Sequence, residues 1–176
     1  MMIKIAVRFL CLFCLLGSCS EKRTKEKSEG EIRAAERALV GANRIMVKKD
    51  HDKIQAYARR NILDVKESAT GLWYRTEEKP GCVKAKSGQQ ATINYEVSLT
   101  DGTVCYSSDS LGPRSFRIGH GGVESGLEEG ILMMCVGDKA LFILPPHLAH
   151  GLTGDGDKIP PRSVIVYHVE LLKLEP

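Results

Sequence analysis

Residues 145–162 read PPHLAHGLTGDGDKIPPR, which gathers His147, His150, Asp155 and Asp157 in one stretch. Histidine and aspartate are the residue types that ligate divalent metals and move protons. The histidines stand three apart, a spacing that suits two ligands on a helical turn. Here the surrounding prolines and glycines argue against a helix, and no third ligand is fixed. TGDGDK lacks the length and the closing glutamate of an EF-hand loop. Ser107-Ser108 with a distant histidine does not make a nucleophilic triad. No metal and no cofactor is therefore expected. What remains is a long loop bounded by Pro-Pro pairs, lying between the apolar runs KALFIL and SVIVYHVELLKL. Long connections of this kind inside a compact domain are often functional.

The cysteines divide into two groups. The N-terminus, MMIKIAVRFLCLFCLLGSCS, has a basic start and then an apolar run too short to span a bilayer comfortably, the pattern of a secretory signal. The run ends in Leu16-Gly17-Ser18-Cys19, which resembles a bacterial lipobox and makes Cys19 the lipid-bearing first residue after cleavage of 1–18. Several acyl chains at Cys19 would anchor the protein durably to a membrane. Cys82, Cys105 and Cys135 remain. Three cannot all pair internally, and the preferred expectation is free, mostly buried thiols rather than a disulfide. The net charge of +3 falls to about +1 without Lys4 and Arg8, so no basic stripe for nucleic acid exists.

The elements that must position these residues follow in order. Residues 19–31 are charged and nearly free of apolar side chains, the composition of a solvated tether. In the leader, 32–66, Ile32, Ala35, Leu39, Ala42 and Met46 recur at helical spacing. Asp50 then reads as the N-cap of a second short helix with Ile54, Tyr57 and Ala58 on one face. The stripe either docks on the domain or pairs with a second copy as a homodimer. GLWYR at 71–75 begins the strands. ATINYEVSL alternates without a fault, with Ala91, Ile93, Tyr95, Val97 and Leu99 facing one way. Asp101-Gly102 signals a hairpin, TVCYS returns, and RSFRI is another short strand. Val123, Leu127, Ile131 and Met134 line a helix that carries Glu124, Glu128 and Glu129 near its start, with Gly137 as its stop. The class is α+β: an antiparallel sheet with one face on a single amphipathic helix, preceded by a helical leader. The domain from about Gly71 is expected to fold without residues 20–66.

These residues together resemble a known family. GLEEGILMMCVGDKALFILPP, the long loop, and IPPRSVIVYHVELLKLEP are similar to the FKBP-type peptidyl-prolyl cis-trans isomerase domain. The INY strand, the DG hairpin with its Ser-Ser and the closing VELLKLE agree with it, and the resemblance covers roughly 71–176. The lipobox, leader and GLWYR also resemble Bacteroidetes lipoproteins of this family, some of them named for association with gliding motility. The resemblance implies five or six strands curled around one helix, with a pocket between helix and sheet. The 145–162 loop becomes a flap over a proline-containing segment.

By position, the resemblance implies pocket walls at Tyr95, Phe116, Val123, Ile159 and Tyr167, and a floor at Leu127, where the best-known members have Trp and many others Leu. The Glu124 backbone N–H would face a substrate carbonyl. Four positions depart from the family. Cys105-Tyr106 stand where an aromatic wall residue and Asp are usual, Arg114 replaces a second aromatic, and His150 replaces the flap tyrosine that donates to ligands. The pocket rim is thus more polar. Two functions follow from the resemblance. One is an isomerase that assists folding of exported proteins at the bacterial envelope, at the outer rather than the inner membrane. The other is a non-catalytic lipoprotein that uses the same pocket and flap to dock a proline-containing partner segment.

Overall fold

A computed structural model of the protein describes residues 29–77 and 81–176. The signal segment, Cys19 and most of the tether lie outside the described residues. The chain divides into a unit ending at Val40 and a second from Gly41 to Pro176. In the first, residues 29–40 are exposed helix.

Helix α1 spans Glu29–Arg60 without a break, so the expected restart at Asp50 does not occur. The sequence VKKDHDK contains no proline or glycine, and a single interior aspartate costs too little to interrupt a helix. The Asp50 carboxylate instead accepts two hydrogen bonds from the Arg162 guanidinium, at 3.1 and 3.2 Å.

The second unit is built on a sheet of seven strands, all paired antiparallel. They are β1 (Lys66–Glu67), β2 (Trp73–Thr76), β3 (Gln90–Leu99), β4 (Val104–Ser107), β5 (Arg114–Arg117), β6 (Lys139–Leu144) and β7 (Ile165–Glu175). The order is β1-β2-β6-β7-β3-β4, and β5 also pairs with β3. The two-residue β1 takes the count past the five or six expected. As the alternation predicts, Ala91, Ile93 and Val97 of β3 are buried. A bulge between Thr92 and Ile93 sets Leu172 of β7 outside the pairing.

Between β4 and β5 lies a one-turn helix, α2 (Ser108–Leu111), and before β6 comes α3 (Ser125–Ile131). α3 is shorter than the apolar spacing suggests. Val123 precedes it, Met134 follows it in successive turns, and Gly137 sits in the next turn rather than at the helix stop. Leu127, Ile131 and Met134 nevertheless pack with Phe142, Leu144, Ile165, Tyr167 and Leu171 in one core. Two glycines set how closely α3 approaches the sheet. A Cβ at Gly126 would stand 2.8 Å from Leu144 Cγ, and one at Gly130 would stand 2.6 Å from Phe142 Cζ.

The other face of the sheet is covered as well, by the C-terminal part of the leader. Leu141, Ile143, Val164 and Val166 meet Ile54 of α1, which is 1% exposed, with Tyr57, Leu63, Val65 and Trp73 packed around them. The C-terminal part of the leader therefore docks in cis. This explains why KALFIL of β6 and VIVY at the start of β7 are apolar without alternation: odd and even residues each face a core.

Cys82 and Cys135 form a disulfide, with Cα atoms 6.0 Å apart, and Cys105 alone is a free, buried thiol among the described residues. The expectation of three free thiols is thus corrected. The connector before β3 is held to the turns after α3, where Ala85 N–H donates to Met134 O at 2.9 Å and Lys84 bridges Cys135. That placement brings together cysteines 53 residues apart in sequence.

Candidate functional site

The site lies where α3 faces the concave side of the sheet under the 145–162 loop. β3 presents Tyr95, β5 presents Phe116, and β7 presents Tyr167, all on the inward side of their strands. Leu127 is fully buried beneath them. Ile159 is buried from the loop side, and Val123 packs on the same cluster. The rings of Tyr95 and Tyr167 are 6.5 Å apart and tilted by 46°. The structure therefore brings Tyr95, Phe116, Val123, Leu127, Ile159 and Tyr167 into one cluster.

A second group of residues gives this apolar cluster a polar edge. Glu124 precedes α3, so its N–H stands ahead of the helical hydrogen-bond ladder. Its side chain is only 7% exposed, a feature that position-by-position reading assigned no role. His150 Nε2 lies 2.8 Å from Glu124 Oε1, but off the axis of a straight hydrogen bond. Arg114 Nη1 stands 4.0 Å from Glu124 Oε2, and Arg114 Nη2 donates to Gly122 O at 2.6 Å. Burial, and then the charge and hydrogen bond of Glu124, push the Tyr167 hydroxyl well above its ordinary value, so it stays neutral. Arg114, Glu124, His150 and Tyr167 thus form one polar set.

The loop is shaped from within. A 3-10 turn at Pro146–Leu148 begins it, and Arg162 N–H donates to Gly151 O at 3.1 Å across its base. Asp155 organises the tip. Its Oδ1 accepts from the N–H groups of Asp157 and Ile159 at 2.9 and 2.8 Å, and its Oδ2 accepts from the Tyr106 hydroxyl at 2.5 Å. Burial alone would raise the Asp155 pKa, but these three hydrogen bonds outweigh it and bring the group down to about 2. The same bond to Asp155 is the main reason Tyr106 is pushed up to about 12. Gly154, with φ +72°, is close to the returning arm of the loop: a Cβ there would come within 2.2 Å of Ile159 O.

The four loop residues weighed as metal ligands are engaged with three different residues. His147 Nε2 is 3.0 Å from Thr70 O, His150 meets Glu124, and Asp155 and Asp157 both face Tyr106. Cys105 is buried, and its Sγ lies 3.6 Å from Lys158 O, so it braces the loop from beneath. Lys158 Nζ sits 5.1 Å from the centre of the Tyr106 ring.

Comparison with known proteins agrees with this fold. Residues 81–172 match the model of the FKBP-type peptidyl-prolyl cis-trans isomerase family. The chain belongs to the FKBP-type family. FK506-binding protein 2 of Dictyostelium discoideum is 44% identical over 103 residues, which is 58% of this chain and 76% of that relative. Peptidyl-prolyl cis-trans isomerase Fkbp12 of Drosophila melanogaster is 42% identical over 54% of this chain and 89% of the relative. The crystal structure of FkpA from Escherichia coli superposes with a TM-score of 0.63 at 31% identity, covering 86% of this chain and 75% of that one. The inward residues of β3, β5, β7 and α3 pack in one cluster that Ile159 and Leu148 of the 145–162 loop join. The buried Glu124 side chain gives this cluster a polar edge.

Proposed function

We propose that the protein is a peptidyl-prolyl cis-trans isomerase acting on exported proteins at the bacterial envelope, to which Cys19 anchors it by lipid. The observation that carries the isomerase reading is the convergence of Tyr95, Phe116, Val123, Leu127, Ile159 and Tyr167 under the flap. Rotation of an X-Pro bond needs no nucleophile. The barrier, about 18–20 kcal/mol for peptide bonds in general, comes from amide resonance. The twisted imide has lost the charge separation that water stabilises in the planar form. Apolar walls that exclude water therefore favour the twisted state, and the enzyme gains rate by binding it better than the ground state. The N–H of Glu124 and the His150 ring supply donors at the pocket edge.

The envelope reading rests on the basic start, the apolar run and the Leu-Gly-Ser-Cys ending at Cys19. The exposed Ile32, Leu39 and Val40 of α1 favour pairing with a second copy. A docking role without catalysis is the second reading, and the Arg114–Glu124–His150 set favours it, because charged groups at a pocket edge suit recognition of a polar partner segment.

An isomerisation assay on proline-containing tetrapeptides tests the first reading. Acceleration above the uncatalysed rate is expected, with a loss in Phe116→Ala through missing wall area. A folded protein that leaves the uncatalysed rate unchanged would leave only the docking role. Release of the Cys19→Ala protein from the membrane fraction tests the anchor.

A further inference from the structure

The Cys82–Cys135 disulfide has a third group beside it. A carboxyl oxygen of Asp138 lies within 4.8 Å of both sulfurs. The three differ in access: Cys82 is exposed, whereas Cys135 and Asp138 are buried, the latter to 2%. The Asp138 carboxyl is only half used. Its Oδ2 accepts the Cys135 N–H at 2.8 Å, while Oδ1 is buried and takes no hydrogen bond among the described residues. A buried acceptor without a donor is destabilising. A disulfide has no S–H to offer it, but the reduced pair has two. Reduction thus supplies a donor beside a carboxyl that still has an unpaired oxygen. The two chain segments are also held together without the covalent bond, through Ala85 N–H to Met134 O and the Lys84–Cys135 bridge. Opening the disulfide leaves the sulfurs as neighbours, ready to close again.

We propose that Cys82–Cys135 is a reversible thiol–disulfide exchange site for an external dithiol, with Asp138 as the residue that positions the reduced Cys135 thiol. One thiolate of the dithiol attacks the exposed Cys82 Sγ and forms a mixed disulfide. The protein S–S bond breaks, and its electron pair leaves on Cys135 Sγ. That sulfur takes a proton from water and donates its S–H to Asp138 Oδ1. The dithiol's second thiolate then attacks its own partner sulfur in the mixed disulfide and releases Cys82, which is protonated in turn. The dithiol ends as a disulfide, and two electrons and two protons have passed to the protein. The protons taken up balance those the dithiol lost on ionising.

The test equilibrates the full-length protein with mixtures of reduced and oxidised dithiothreitol and measures alkylation of Cys82 and Cys135 by mass. Reversible reduction is expected while circular dichroism reports a folded protein, at a rate independent of low urea concentrations. In Asp138→Asn the side-chain oxygen retains the Cys135 N–H bond, which leaves an NH2 where Oδ1 was. This group cannot accept from S–H, so the reduction equilibrium constant should fall about fivefold. The proposal is overturned if Asp138→Asn, folded like the wild type when oxidised, has an unchanged constant. The urea series needs no variant: reduction that proceeds only in step with global unfolding would equally defeat it.

Discussion

His150 Nε2 lies 2.8 Å from Glu124 Oε1, so the 145–162 loop and the residue that precedes α3 meet through their side-chain ends. Glu124 also faces Arg114 and the neutral Tyr167 hydroxyl. A carboxyl buried here opposes the dry environment that a twisted imide favours. Glu124→Leu is therefore expected to raise kcat/KM about threefold to tenfold for peptides with an apolar residue before proline, on the scale where about 1.4 kcal/mol is tenfold in rate. An unchanged or lower kcat/KM, measured with the variant fully folded, would show that the carboxyl helps the reaction.

Tyr106 and Asp155 join β4 to the flap tip. The Asp155 pKa is depressed from 3.8 to about 2, so its contribution is present above about pH 4 and is lost as pH falls through 2. The Tyr106 pKa is raised from 10.0 to about 12, so its contribution is present below pH 10 and is lost as pH rises through 12. Tyr106→Phe should lower the thermal midpoint by a constant amount between about pH 4 and pH 10. The gap to wild type should narrow on either side of that window. A gap that does not depend on pH down to 2 would mean that the bond is not the source of the loss.

Ile54 is almost completely buried against Leu141, Ile143, Val164 and Val166. Ile54→Ala should cost about 2–5 kcal/mol of stability, the range for removing a buried aliphatic side chain. Urea denaturation of the full chain measures it. A fragment of residues 68–176 retains the α3 core but leaves the other sheet face bare. It should melt below the full chain, and equal midpoints would assign Ile54 a marginal role.

Gly130 lies against the Phe142 ring, so Gly130→Ala must push the ring or α3 away. Overpacking of this kind typically costs about 1–3 kcal/mol. Helix propensity works in the opposite direction, by about 1 kcal/mol in favour of alanine. A net loss of stability is expected, and a stabilised Gly130→Ala protein would show that the helix–sheet spacing is looser than it looks.

Period and punctuation were enough to read the strands from sequence, whereas only the resemblance to the FKBP-type family gave some of their inward residues a role as pocket walls. β3 alternates strictly, the Asp101-Gly102 turn returns the chain, and the inward residues Tyr95, Phe116 and Tyr167 keep the positions their strands assign them. Side-chain direction in a strand follows from local geometry, so one strand's sequence is enough to place its inner face. The docking of α1 also left a local trace, since KALFIL and VIVY are apolar on both faces, but the trace names no partner for the second face. The remaining features depend on residues distant in the chain. Cys82 meets Cys135 across a separation of 53 residues, and Asp50 meets Arg162 across 112. The buried Glu124 side chain meets Arg114 of β5 and His150 of the flap. Nothing in the spacing of these residues encodes the encounters. The disulfide, the second core and the polar pocket edge were decided only when packing of the sheet between α3 and α1 brought separate segments to the same place.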